Sequence, residues 1–196
     1  NKPKSMRINV EGKLGEDVTA KDMALNIIRY LGMNGGTGFV IEYAGEAVRS
    51  LDMESRMTLC NLTIEAGARA GMIAPDQTTI DYLRGRAMAP KGEAFDRAAH
   101  NWLQLASDPE ADFDSEITLD ATTMRPAITY GTDPGMSVAI GDPVPQAGNT
   151  SHDKALQYMG FESGQSMSER KVDVVFVGSC TNGRISDLRA VANVLR

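Results

Sequence analysis

Cys180 stands in the stretch GSCTNGR (residues 178–184), between the apolar run VDVVFV (172–177) and the helical pattern ISDLRAVANVLR. At the start of a helix, backbone N–H groups favour negative charge, so a thiolate there is stabilised and its pKa falls. Three chemistries are open to it: nucleophile, iron or zinc ligand, or inert thiol at a tight turn. A second constellation lies in MTLCNLTIEAGARAG (57–71), where Asn61 and Glu65 are four apart and Thr58 is three before Asn61. On a helix these share one face, where a carboxylate can orient water or move a proton. The same spacing also describes the solvated flank beside a core stripe of Met57, Cys60 and Ile64. Cys60, on that stripe, reads as a core residue.

Elements that position these residues follow from hydrophobic periodicity. Met6, Ile8 and Val10 alternate towards Gly12 and predict a strand. Thr19 offers an N-cap, with Asp22 three positions later, before an apolar stripe at Met23, Ala24, Ile27, Ile28 and Leu31. Residues 37–43 read as a second strand, and the order strand, helix, strand implies a crossover in a partly parallel sheet. A helix is expected over residues 52–70, then a short strand at 72–74, helices at 78–85 and 93–107, and a strand at 113–120. In the helix at 93–107, Phe95, Ala98, Ala99, Trp102, Leu103 and Leu105 form the core-facing stripe. Residues 125–151 are rich in Pro and Gly, which suggests a linker and a domain boundary. A short helix (151–159) follows. Then 172–177 reads as a buried parallel strand feeding the Cys180 turn, at the carboxyl end where α/β sheets place ligands.

GSCTNGR followed by its helix resembles the first cluster-binding cysteine motif of the aconitase family, and NLTIEAGARAG resembles a second segment of the same family. The segments DMESRMTLCNLTIEAGARAGMIAPDQTT, YLRGRAMAPKGEAFDRA and RPAITYGTDPGM are similar to the isopropylmalate branch, and the likeness covers essentially all of residues 1–196. The resemblance implies a hydro-lyase that interconverts 2- and 3-isopropylmalate in leucine biosynthesis, together with a separate small subunit. It implies a [4Fe-4S] cluster, with Cys180 as one of three cysteine ligands and the other two in a CxxC further along. It also implies that Glu65 acts on the iron-bound water or hydroxyl and that Asn61 hydrogen-bonds near the cluster. The expected fold is a three-layer aconitase-type α/β domain over residues 1–125, then a linker and the start of a second such domain over 126–196. No CxxC occurs in the sequence, so the chain by itself is expected to hold no cluster and to be inactive. A chain that starts without Met and stops inside a helical pattern reads as an internal piece of a longer protein. Homoaconitase and iron-responsive regulatory relatives share many of these motifs.

The remaining features exclude more than they assign. A net charge of −6 argues against nucleic acid and anionic membranes. No stretch approaches the roughly 20 apolar residues of a membrane span, and no signal pattern opens the chain. Two cysteines do not make a disulfide framework, which fits the cytoplasm. His100 and His152 match no catalytic histidine of the family and read as structural or exposed. GGTG (35–38) precedes a strand and reads as a turn, as does GTDPG (131–135), and the 11 methionines read as core filler.

Overall fold

Alternation of apolar and polar residues along Lys4–Glu11 sends Met6, Ile8 and Val10 to one face of a strand, and in the computed structural model all three are buried. The structure describes residues 2–146, 148–168, 170–179 and 181–196. The chain forms two compact units, residues 1–126 and 127–196.

In the first unit, β1 (Lys4–Glu11), β2 (Phe39–Ala44), β3 (Ala70–Ile73) and β4 (Ser115–Asp120) make an all-parallel sheet in the order β3-β2-β1-β4. The connection from β1 to β2 carries α1 (Ala20–Leu31), and that from β2 to β3 carries α2 (Glu46–Arg49) and α3 (Met53–Asn61). Both steps move the same way across the sheet, so right-handed crossovers put their helices on one face. There Met23, Ala24 and Ile27 of α1 and Leu59 of α3 pack against Met6, Ile8, Val10, Ile41 and Tyr43. The return from β3 to β4 runs the opposite way, and the same rule sends it over the other face. That connection contains α4 (Gln77–Leu83) and α5 (Glu93–Leu103), which share a small core of Ile80, Phe95 and Ala99.

On this second face the pairing aligns Glu42, Arg7 and Glu116 in one row. Arg7 lies 3.3 Å from Glu42 and 3.9 Å from Glu116, and its guanidinium stacks 4.0 Å over the Phe113 ring. Ser107 donates a short hydrogen bond to Glu42. Ser107 and Phe113 of the crossover therefore meet this face by polar and cation–π contacts, and the architecture is α/β with a parallel sheet flanked by helices. The Thr19 cap forms as predicted: the Asp22 N–H donates to Thr19 Oγ1 at 3.3 Å, and the Thr19 N–H donates to Asp22 Oδ2 at 2.8 Å.

The α5 helix stops at Leu103, short of the expected residue 107, so Leu105 falls beyond it and is 71% exposed. The larger difference is in the expected helix over 52–70. It ends at Asn61 and tightens into a 3₁₀ turn, Leu62–Ala66, closed by Gly67 at φ 83°. Two causes are visible. Thr63 Oγ1 donates back to the Leu59 carbonyl, which competes with regular helix hydrogen bonding. In addition, β3 must begin at Ala70 to pair with Val40, which forces the chain to reverse. The core stripe shifts accordingly. Arg56, Leu59, Leu62, Thr63 and Ala66 face inward, whereas Ile64 is 64% exposed and Thr58, placed on the polar face by its spacing, is buried.

In the second unit the Pro/Gly-rich stretch builds an antiparallel hairpin of β5 (Ala127–Thr129) and β6 (Ser137–Ala139). Tyr130, Val138 and Val144 pack with Leu156 of α6 (Thr150–Met159), whose N-terminus Asn149 caps at 3.0 Å. Residues 172–177 are not a strand. Among the described residues no neighbour offers a ladder to their N–H and C=O groups, and Val174, Val175 and Phe176 are 77–87% exposed. The final helix, α7 (Ile185–Val194), buries none of its residues.

Candidate functional site

Two of the residues singled out by type and spacing, Asn61 and Glu65, belong to the first unit. Asn61 ends α3 and Glu65 sits in the 3₁₀ turn that follows, both exposed. They do not lie one above the other on a continuous α-helix. Because α3 runs back from the carboxyl end of β2 to the start of β3, this corner lies at the amino end of the sheet.

The corner is held by close backbone packing. Gly36 donates its N–H to the Ala66 carbonyl at 2.9 Å, and a Cβ at Gly36 would meet the Ala68 Cβ at 2.9 Å. The Arg69 N–H donates to the Phe39 carbonyl at 2.8 Å. GGTG is thus a turn, as its position before a strand implies, and it serves as the seat of the 62–69 segment. Below it, Thr63 Oγ1 lies 3.0 Å from the Leu59 carbonyl and 2.9 Å from the Tyr43 hydroxyl. The single hydroxyl hydrogen of Thr63 goes to Leu59, so Tyr43 is the donor to Thr63. Burial raises Tyr43 to about 12, only partly offset by that hydrogen bond, and keeps it a neutral donor. Gly71 completes the joint, since a Cβ there would fall 2.0 Å from Thr63 Oγ1.

The other end of α3 is tied by a buried charge. Arg56 is 3% exposed and donates to both Asp76 carboxylate oxygens at 2.7 and 2.8 Å, and also to the Leu51 and Arg49 carbonyls. The Arg56 hydrogen bonds hold the Asp76 carboxyl below the ordinary carboxylate range, and Asp76 caps α4 through the Thr79 N–H. Nothing in the spacing of Arg56 and Asp76 marked this pair beforehand.

Cys60 is half-buried in the wall of a cleft of about 200 Å³ that Met53, Met57, Ile73 and Pro75 also line. Burial pushes its thiol up to about 11, so at neutral pH it is a thiol, not a thiolate. Cys180 lies outside the described residues. Among its described neighbours, Ser179 N–H donates to the Asn182 carbonyl at 2.8 Å, and Arg184 N–H donates to Asp187 Oδ2 at 2.9 Å as α7 begins. Among the described residues no three His, Cys, Asp or Glu side chains group as a metal site. His100 is exposed; His152 stacks 5.8 Å from the Tyr130 ring. Among the described residues no helix is long and apolar enough to cross a membrane.

Curated proteins match along the whole chain. It is 52% identical over 197 residues to the 3-isopropylmalate dehydratase large subunit of Phocaeicola vulgatus, 53% over 203 residues to that of Roseiflexus castenholzii and 51% over 200 residues to that of Oceanobacillus iheyensis. In each comparison all of this chain is aligned, and it spans 43% of the relative's length. The family model described as aconitase family (aconitate hydratase) matches residues 1–196, and the chain belongs to that family.

Proposed function

We propose that this chain is part of a hydro-lyase that interconverts 2- and 3-isopropylmalate, working with a separate small subunit and a [4Fe-4S] cluster. The observation that carries this reading is an overall identity above 50% to large subunits of 3-isopropylmalate dehydratase in matches that cover the whole chain. In this reading, residues 1–125 are one α/β domain of the large subunit and residues 126–196 open the next, which carries Cys180. The cytoplasm is the expected compartment.

The chemistry assigned to each residue follows from its type and setting. Glu65 is exposed on a turn whose backbone is locked on both sides, so its carboxylate can hold the hydroxyl or water that leaves and returns. Asn61 offers an amide donor and acceptor from the same corner. Cys180 would supply one thiolate to the cluster, and the cluster would supply the Lewis acidity that labilises a hydroxyl. The donor set of this chain does not fit a whole cluster. A [4Fe-4S] group takes three or four thiolates, the sequence has two cysteines, and Cys60 is held as a thiol by burial. The chain by itself is therefore proposed to hold no cluster and to have no activity.

The test is turnover of isopropylmalate by the complete large subunit combined with its small subunit, alongside Cys180→Ser and Glu65→Gln. The reading requires activity in the unsubstituted enzyme, loss of cluster absorbance in Cys180→Ser, and loss of turnover with cluster absorbance intact in Glu65→Gln. Activity on a different 2-hydroxy acid in place of isopropylmalate would replace the substrate and leave the reaction class standing.

A further inference from the structure

The turn that carries Glu65 has an inner and an outer side. Leu62, Thr63 and Ala66 are buried, while Ile64 and Glu65 are exposed. Leu62 and Ala66 turn apolar side chains to the core, and such contacts have no preferred direction. Thr63 adds a hydroxyl, whose hydrogen bonds are directional and fix how the turn is rotated. It is held on two sides, donating to the Leu59 carbonyl at 3.0 Å and accepting from the Tyr43 hydroxyl at 2.9 Å. Tyr43 belongs to β2, where it pairs with Ile8 of β1 and Ile73 of β3, and its 3% exposed ring is packed in the main core. Contacts therefore run from the sheet through Tyr43 and Thr63 to a backbone two residues from Glu65.

A carboxylate that receives a leaving hydroxyl or water works within a narrow range of positions, and a misplacement of about 1 Å can cost roughly a hundredfold in rate. Glu65 is exposed, so that precision has to come from the backbone that carries it. We propose that Tyr43 and Thr63 are positioning residues for Glu65: their hydroxyl pair anchors the 62–66 turn to the sheet and sets the point from which the carboxylate reaches the substrate. The proposal rests on the hydro-lyase reading above and adds to it two residues that act through Glu65. Neither touches the substrate or moves a proton in this role. Tyr43 stays protonated up to about 12, so the anchor is the same throughout the neutral range. Losing the anchor leaves substrate binding in place and misplaces the carboxylate, which is a defect in kcat with KM nearly unchanged.

The experiment uses the complete large subunit with its small subunit and compares Tyr43→Phe, Thr63→Val and Thr63→Ser with the unsubstituted enzyme. Thr63→Val keeps the shape and removes the hydroxyl, whereas Thr63→Ser keeps the hydroxyl and removes a methyl. In Thr63→Val kcat is expected to fall roughly ten- to a hundredfold, with KM within about threefold and cluster absorbance unchanged. Tyr43→Phe retains the bond to Leu59 and loses less. Thr63→Ser recovers most of kcat although the missing methyl lowers its Tm, which separates positioning from stability. Hydrogen exchange of the 62–67 amides speeds up in Thr63→Val and Tyr43→Phe and not in Thr63→Ser. A kcat near the unsubstituted value in Thr63→Val, or a kcat that follows Tm across the three variants, overturns the role and leaves the hydro-lyase reading intact. Should Thr63→Val fail to fold, Tyr43→Phe decides: kcat lowered at least about threefold with faster exchange supports the anchor, and unchanged kcat rejects it. If the unsubstituted enzyme does not turn over isopropylmalate, the hydro-lyase reading fails and the positioning of Glu65 falls with it.

Discussion

Gly71→Ala tests the joint beneath the Asn61–Glu65 corner. Gly71 does not have a positive φ, so alanine fits its backbone and the effect isolates side-chain packing. The added Cβ would sit 2.0 Å from Thr63 Oγ1, 2.8 Å from Thr63 Cβ and 3.1 Å from the Cys60 carbonyl. Thr63 is 1% exposed and cannot swing into solvent. The overlap is relieved only by moving it, at about 1–3 kcal/mol for overpacking. Displacing Thr63 also strips the buried Tyr43 hydroxyl of its acceptor, which costs about 1–3 kcal/mol more. We expect a total near 3 kcal/mol, a large share of the 5–15 kcal/mol typical of a folded domain. The one tryptophan, Trp102, belongs to the first unit, so its fluorescence reports that unit during urea or thermal unfolding. At this size the expected fall in Tm is on the order of 10 °C. Thr63→Ala removes the worst overlap, that with Oγ1, and leaves the Cβ contact at 2.8 Å, so the double variant Thr63→Ala/Gly71→Ala should be more stable than the sum of the two single losses implies. Additive losses, or a neutral Gly71→Ala, would refute the packing argument.

Other consequences are accessible to simple measurements. Asp76 has a depressed pKa in the folded state, so its contribution to stability is present above the unfolded value near 4 and is lost as pH falls through the lower folded value. Asp76→Asn should therefore flatten the acid limb of the stability profile below about pH 4, and an unchanged limb would reject the Arg56–Asp76 coupling. Cys60, with its thiol raised to about 11, should react with iodoacetamide at pH 8 at least about tenfold more slowly than a free cysteine in a Cys180→Ser background. Reaction at the free rate would contradict its burial. Residues 172–177 carry no ladder, so their amides should exchange with solvent far faster than those of β1, and limited trypsin should cut first near Lys171. Strong protection there would show a partner for this stretch.

Much of the first unit was legible because its residues obey simple periods. The 2-residue alternation of β1 and the Thr19–Asp22 cap each specify an element by local chemistry alone. The end of α3 at Asn61 was not legible. It depends on the Thr63 back-bond and on the register of Val40 with Ala70, contacts remote from any local pattern. For the same reason the spacing of Asn61 and Glu65 suggested a shared helix face, whereas the actual device is a tight turn seated on Gly36. Arg56 and Asp76, 20 residues apart, carry no spacing signal at all, though a lone arginine inside an otherwise core-facing stripe marks a buried partner. In the second unit, Asp133-Pro134-Gly135 was recognisable as a turn, but the two three-residue strands around it are too short to alternate visibly. The run 172–177 has the composition of a buried strand, yet a strand exists only where another backbone pairs with it.

The proposed function turns on Glu65 acting at a hydro-lyase centre. The most direct measurement is kcat for isopropylmalate of the complete two-subunit enzyme carrying Glu65→Gln, with cluster absorbance recorded on the same sample. Turnover is expected to fall by roughly a hundredfold or more while the absorbance is unchanged. Turnover near that of the unsubstituted enzyme, with the cluster present, would contradict it.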